Sequence, residues 1–209
     1  EGRKGEIEEP SRKEPMHDNL IQYINKHLID KLTAEDEKFM IEIFKVKKIR
    51  KHQFYLQEGE VSTQFGFITK GALKQYIVDE TGKENIVGLY IENWWVSDRE
   101  SFALNTPSPY YIDAFEETEL LVVTKKDSEE KLMQKTFVNE LFRILTERNA
   151  FHLLRRVRVA NTFTAEQRIA DFEENYPELV QRFPQHIIAS YLGMTKEPLS
   201  RIRSKSTKK

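Results

Sequence analysis

The sequence predicts an α+β fold in which an antiparallel β-sandwich or roll is preceded and followed by helices. Three observations carry that expectation. Short β-rich segments recur between about Phe44 and Thr124, a helical period then holds for about thirty residues from Ser128, and two short helices joined by a glycine lie near the C-terminus.

The first fifteen residues are charged, contain Gly2, Gly5, Pro10 and Pro15, and have no apolar periodicity. They are expected to form a disordered extension, behind which Met16 reads as a native start. From Asp18, the spacing of Leu20, Ile21, Ile24, Leu28 and Ile29 predicts an amphipathic helix. Thr33 with Asp36 and Glu37 opens a second through Phe39, Met40 and Ile43.

Strands are predicted at Phe54–Leu56, Phe65–Ile68, Leu73–Val78, Asn85–Tyr90, Tyr110–Phe115 and Leu120–Val123. They are separated by Glu58-Gly59-Glu60, Lys70-Gly71 and Asp79-Glu80-Thr81-Gly82. Many short, evenly spaced strands favour an antiparallel roll over a parallel sheet. The long helix from Ser128 keeps Leu132, Phe137, Leu141, Ile144, Phe151 and Leu154 on one broad stripe, more apolar surface than its own small domain needs. That surplus implies a second copy, with Phe137, Leu141, Ile144, Phe151 and Leu154 as interface residues. Arg155, Arg156 and Arg158 suit the negative end of its dipole.

Thr164-Ala165-Glu166-Gln167 reads as a capping box for a helix reaching Tyr176. Pro177 starts another short helix that ends before Phe183, which puts a hinge near Val159–Thr162. Then Ile187, Ile188, Tyr191 and Leu192 recur at helical spacing, Gly193 stops that helix, and Thr195 caps a second one carrying Leu199 and Ile202 on its buried side. Pro198 falls in its first turn, where it need not break it. This is a helix-turn-helix. Its second helix exposes Lys196, Glu197, Ser200, Arg201 and Arg203, groups suited to base edges and phosphates in a major groove.

The formal net charge is −1, so any signal for nucleic acid must be local. From Lys196 onward, Arg201, Arg203, Lys205, Lys208 and Lys209 are opposed only by Glu197. Cysteine is absent, which excludes disulfides, thiolate metal sites, iron–sulfur ligation and cysteine nucleophiles. His17, His27, His52, His152 and His186 show no metal-ligand spacing, so no catalysis, metal or cofactor is expected. His152 and His186 read as cap or interface residues. Without a long apolar run or a signal-peptide pattern, a cytosolic protein with no membrane partner is expected.

The succession Phe54…Glu58-Gly59, Ile68…Gly71, Asp79-Glu80-Thr81-Gly82-Lys83-Glu84, Trp95-Val96-Ser97-Asp98…Glu100-Ser101-Phe102, Ile188-Ala189-Ser190-Tyr191-Leu192-Gly193 and Leu199-Ser200-Arg201-Ile202-Arg203 resembles the catabolite-activator/FNR family of bacterial transcription regulators. The resemblance covers nearly everything after Met16. It implies a cyclic-nucleotide-binding-like β-roll (jelly roll), a long dimerisation helix and a C-terminal winged helix-turn-helix, here with a reduced wing. The corresponding divisions are 1–15, 16–127, 128–158 and 162–209.

The resemblance further implies a homodimer on a pseudo-palindromic duplex, with RNA polymerase as a candidate partner. Lys196, Glu197 and Arg201 would contact bases, while Thr195, Ser200, Arg203, Lys205, Lys208 and Lys209 would contact phosphates.

The same comparison argues against cyclic AMP as effector. Where cyclic-nucleotide-binding members have a glycine, a ribose-binding glutamate and, farther on, a phosphate-pairing arginine, this chain has Ser97, Asp98 and the Ser108-Pro109 stretch. Arg99 is the only nearby substitute. A phosphate buried there would lack compensation. Tyr90, Trp94, Trp95, Asp98, Arg99, Tyr110 and Tyr111 are the candidate lining of a pocket for an unknown, more apolar effector. The competing reading is a β-roll dimer that senses a small ligand or binds protein without sequence-specific DNA binding.

Overall fold

The computed structural model describes residues 15–194. It opens with α1 (Pro15–His27) and α2 (Ala34–Ile43). Pro15, expected in the extension, is instead the first residue of α1, a position that needs no backbone N–H; the rest of that extension lies outside the described residues. Thr33 caps α2, its hydroxyl accepting from the Asp36 N–H at 3.1 Å.

Eight strands follow: β1 (Lys45–Ile49), β2 (Phe54–Leu56), β3 (Gln64–Lys70), β4 (Leu73–Val78), β5 (Glu84–Tyr90), β6 (Trp95–Val96), β7 (Tyr111–Ala114) and β8 (Thr118–Thr124). They form two antiparallel four-stranded sheets, ordered β1-β8-β3-β6 and β2-β7-β4-β5. The expected roll is therefore present. Two strands escaped the sequence reading. β1 is an edge strand with Lys45, Lys47 and Lys48, the charge that keeps a sheet edge from pairing further, and β6 has only two residues.

Between the sheets lie Ile49, Leu56, Ile68, Leu73, Val96, Ile112, Leu120 and Val122. Because successive side chains in a strand point to opposite faces, Leu121 and Val123 of β8 and Phe67 of β3 emerge on the other side of the first sheet. There they pack with Leu20, Ile24, Met40 and Phe44 of the helical preface and with Leu132, Val138 and Leu141 farther on.

The long helix differs from expectation. The helical period from Ser128 is divided among α4 (Lys125–Glu130), a 3₁₀ turn (Leu132–Gln134) and α5 (Thr136–Thr162). Leu132, Val138 and Leu141 all enter one cluster, so apolar spacing runs through the break at Lys131 without registering it. α5 still has 27 residues, a span of about 40 Å at 1.5 Å per residue. The hinge expected at Val159–Thr162 is helical. The chain bends instead at Phe163, immediately before the capping box in which the Thr164 hydroxyl accepts from the Gln167 N–H and the Gln167 side chain from the Thr164 N–H.

A C-terminal head follows: α6 (Ala165–Asn175), α7 (Pro177–Arg182) and α8 (Gln185–Tyr191). Gly193, at φ +68°, turns the chain out of α8 as expected of a helix stop. The helix and wing expected from Thr195 onward lie outside the described residues. Among the described residues no helix is long and apolar enough to cross a membrane.

The head rests on the outer face of the second sheet. Ala72, Tyr76, Ile86, Leu89 and Ile91 form one buried cluster with Phe172, Leu179, Phe183, Ile187 and Ile188.

Candidate functional site

Short α3 (Arg99–Leu104) leaves the loop after β6 with Asp98 as its N-cap: Asp98 Oδ1 accepts from the Glu100 and Ser101 N–H groups at 3.1 and 3.2 Å. The neighbouring serines satisfy one another. The Ser62 N–H donates to Ser101 Oγ at 2.9 Å, Ser101 Oγ donates to the Thr106 carbonyl at 2.6 Å, and Ser62 Oγ meets Ser97 Oγ at 3.1 Å. Ser108 is buried, its hydroxyl accepting from the Tyr110 N–H at 3.1 Å. The Glu100 and Ser101 N–H groups and the serine hydroxyls of this loop are thus already engaged, the two N–H groups by a carboxylate. A phosphate placed at the loop itself would meet the buried Asp98 carboxyl, while the cations beside it, Lys26, Arg99, Arg148 and Arg156, line the adjoining cavity. Arg99 is exposed and reaches toward Thr146 of α5, 3.4 Å away.

A cavity of ≈ 1280 Å³ opens beside this loop, bounded by α1, the roll, α5 and the head. Tyr90, Trp94, Trp95, Asp98, Arg99 and Tyr110 line it, as the sequence suggested. Tyr111 does not. It belongs to the outer face of the second sheet, its ring stacked on Tyr76 at 5.4 Å and set against Phe54 at 5.7 Å, because alternation along β7 sends it outward. Tyr90 donates to Gln75 Oε1 at 2.5 Å, and burial pushes its hydroxyl above the usual tyrosine range. Asp98 Oδ2 is buried with no hydrogen-bond partner.

The proposed dimer residues separate along α5. Leu141 is buried in the chain's own core, and Phe137 and Ile144 are half-buried. Phe151 and Leu154 are 67% and 66% exposed, and beside them Leu153 and Val157, which sequence reading did not single out, are 49% and 58% exposed.

Contacts between head and roll were the least visible in the sequence. Arg182 Nε donates to both oxygens of Glu116 at 2.7 and 2.9 Å, and its Nη atoms donate to those of Glu92 at 2.7 and 3.3 Å. Glu92 is held in place by the Gly71 N–H at 2.7 Å, in a turn where φ is +95° and a Cβ would come within 2.5 Å of the Glu117 carbonyl. Burial works against the Glu92 charge, yet the Arg182 hydrogen bonds and the Gly71 N–H outweigh it and hold the carboxyl below its ordinary range. Glu116 and Glu92 in turn keep Arg182 firmly protonated.

The Ile86 N–H donates to Ser190 Oγ at 3.0 Å, joining β5 to α8. Arg156 Nη1 donates to the Val87 carbonyl at 2.9 Å while its guanidinium lies over the Tyr191 ring at 4.3 Å. His152 bridges the Tyr176 hydroxyl at 2.7 Å and the Tyr191 hydroxyl at 3.5 Å, the interface role its sequence position suggested. Burial, then the charges of Arg156 and Arg155, lower its pKa.

Residues 46–135 match the family model described as the cyclic nucleotide-binding domain. FixK2 from Bradyrhizobium japonicum is similar in structure at 18% identity, with 78% of this chain and 84% of that one covered and a TM-score of 0.64. The chain shares the fold of that structure. CLP of Xanthomonas campestris, described as a c-di-GMP-responsive global regulator, is similar at 14% identity over 81% of this chain and 88% of its own, TM-score 0.61. The Catabolite Activator Protein of Thermus thermophilus is similar at 17% identity over 85% and 84%, TM-score 0.50. A search of curated protein sequences found no match.

Proposed function

We propose that this chain is a DNA-binding transcription regulator of the catabolite-activator/FNR type, a homodimer that reads a pseudo-palindromic operator and is not controlled by cyclic AMP. The observation that carries the reading is the head itself. α8 packs through Ala189 on Ile169 of α6 and ends at left-handed Gly193, directly before the stretch with Lys196, Arg201, Arg203, Lys205, Lys208 and Lys209. Lys196, Glu197 and Arg201 are assigned to base edges. Thr195, Ser200, Arg203 and the terminal lysines are assigned to phosphates, and RNA polymerase is the natural further partner.

The exposed stripe of Phe151, Leu154 and Val157 supports dimerisation, because soluble chains rarely leave such a patch uncovered. The self-satisfied serines and the Asp98 cap support cyclic-nucleotide independence.

The test is selection of binding sites from a random duplex pool. Wild type should enrich a two-fold-symmetric site, with half-sites roughly 34–36 Å apart, and give the same site and affinity with or without cyclic AMP. R201A should relax preference at one half-site position and cost about 1–3 kcal/mol, whereas K208A/K209A should weaken all duplexes alike. A wild type that enriches nothing would contradict the regulator and leave the protein-interaction reading of the same dimer. Equal binding by R201A would remove the role given to that residue.

A further inference from the structure

The head is not merely near the roll; both surfaces are made for the contact. β5 and its flank read Ile86-Val87-Gly88-Leu89-Tyr90-Ile91, apolar on both faces, as a strand covered on both sides must be. Ile86 and Ile91 lie in the cluster with Ile187, Ile188 and Phe183 of the head, and the Phe115 ring meets Phe183 at a centroid distance of 4.9 Å. At the rim one guanidinium is shared by two carboxylates with Nε and Nη geometry, the arrangement that only arginine provides. Its anchor on the roll is fixed by the Gly71 turn, so Glu92 is positioned before the head arrives.

This docking places α8 beside an acidic hairpin. Ser190, in contact with the Ile86 N–H, also lies 3.4 Å from the Glu84 carbonyl, at the end of the turn that carries Asp79 and Glu80. Asp79 keeps its charge, because hydrogen bonds from Thr81, Asn85 and the Lys83 N–H hold its carboxyl well below the usual range. In helix-turn-helix proteins the first helix crosses the DNA backbone. A duplex laid on docked α8 would therefore approach the hairpin that carries these carboxylates, and like charge opposes phosphates there.

We propose that the contact of Arg182 with Glu92 and Glu116, supported by Ser190 on β5, is a latch that holds the head closed on the roll, and that operator binding requires its release. The inference rests on the DNA-binding reading above. Glu178 of α7 and Tyr191 of α8 line the same cavity as Trp94 and Asp98, so the latched head contributes to one wall of that cavity, beside His152 and Arg156 of α5.

The test uses the full chain and two readouts, one of them independent of DNA. In E92Q/E116Q, hydrogen exchange at the Ile86 amide should rise about tenfold as the head opens more often, and affinity for the selected duplex should tighten by about the same order. R182K keeps the cation but loses the shared geometry, and should move both readouts the same way by a smaller factor. It carries the test if E92Q/E116Q no longer unfolds cooperatively.

Unchanged exchange would overturn the latch. Faster exchange with unchanged or weaker duplex affinity would show the docked head to be already competent, and would overturn the inhibitory role while leaving the regulator intact. If neither wild type nor variant bound any duplex, the regulator reading would fail and the requirement for release would fail with it.

Discussion

α5 is one helix with two surroundings. In its first half Val138 and Leu141 fill the cluster under α1, α2 and β8, so their burial stabilises the single chain. In its second half, one side carries His152, Arg155 and Arg156 into ion pairs, hydrogen bonds and ring contacts with the head and β5, while Phe151, Leu154 and Val157 stand exposed. Phe137, Ile144 and Phe151 lie seven residues apart, the spacing of a coiled-coil seam, yet only the last leaves most of its side chain uncovered. A heptad in the sequence therefore does not say which partner it meets. The first half is a domain element, and the second is where head and roll meet and where the proposed second copy would join them.

The sharpest way to break this distinction is to put a charge into each half. L141E buries an unpaired carboxylate in the core and should cost 4 kcal/mol or more, by rough estimate, seen as loss of cooperative unfolding at ordinary temperature. If L141E instead folded normally as a monomer, Leu141 would be an interface residue after all.

A smaller effect should sharpen the role of the second half. His152 accepts and donates between Tyr176 of the head and Tyr191 of α8, with Arg155 and Arg156 on its own helix. Its folded pKa lies below the ordinary 6.5. The undocked or unfolded form then binds protons more readily. The contribution of this contact should be fully present above about pH 6.5 and should be lost as pH falls toward and through the lowered value. Thermal unfolding of wild type should weaken over that window relative to H152Q, which should itself cost about 1 kcal/mol at neutral pH from the lost hydrogen bonding. Parallel pH profiles for the two proteins would mean that His152 is not coupled to the docked head.

What could be read from the sequence was whatever is local. β2 and β4 fall where alternation and turns put them, and the Thr164–Gln167 box forms because its partners are three residues apart. β1 was hidden because its lysines defend an edge, and the break at Lys131 because apolar spacing continues across it. The lining of the cavity was recovered except for Tyr111, which alternation along β7 places with Asp113 on the face opposite the buried Ile112 and Ala114. Arg182 gave no signal, since its carboxylates lie 66 and 90 positions away and only the packing of head on roll brings them together.

The central claim is that two copies of this chain, joined through the exposed half of α5, read one duplex. Sedimentation velocity on the protein with a duplex carrying the selected site addresses it most directly. Wild type should be a dimer when free and sediment with the duplex as two chains per DNA. F151E/L154E should be a folded monomer whose duplex affinity drops by about two orders of magnitude as the linkage between half-sites is lost. A wild type that is monomeric at micromolar concentration, or that binds the selected site as one chain per duplex, would contradict the account.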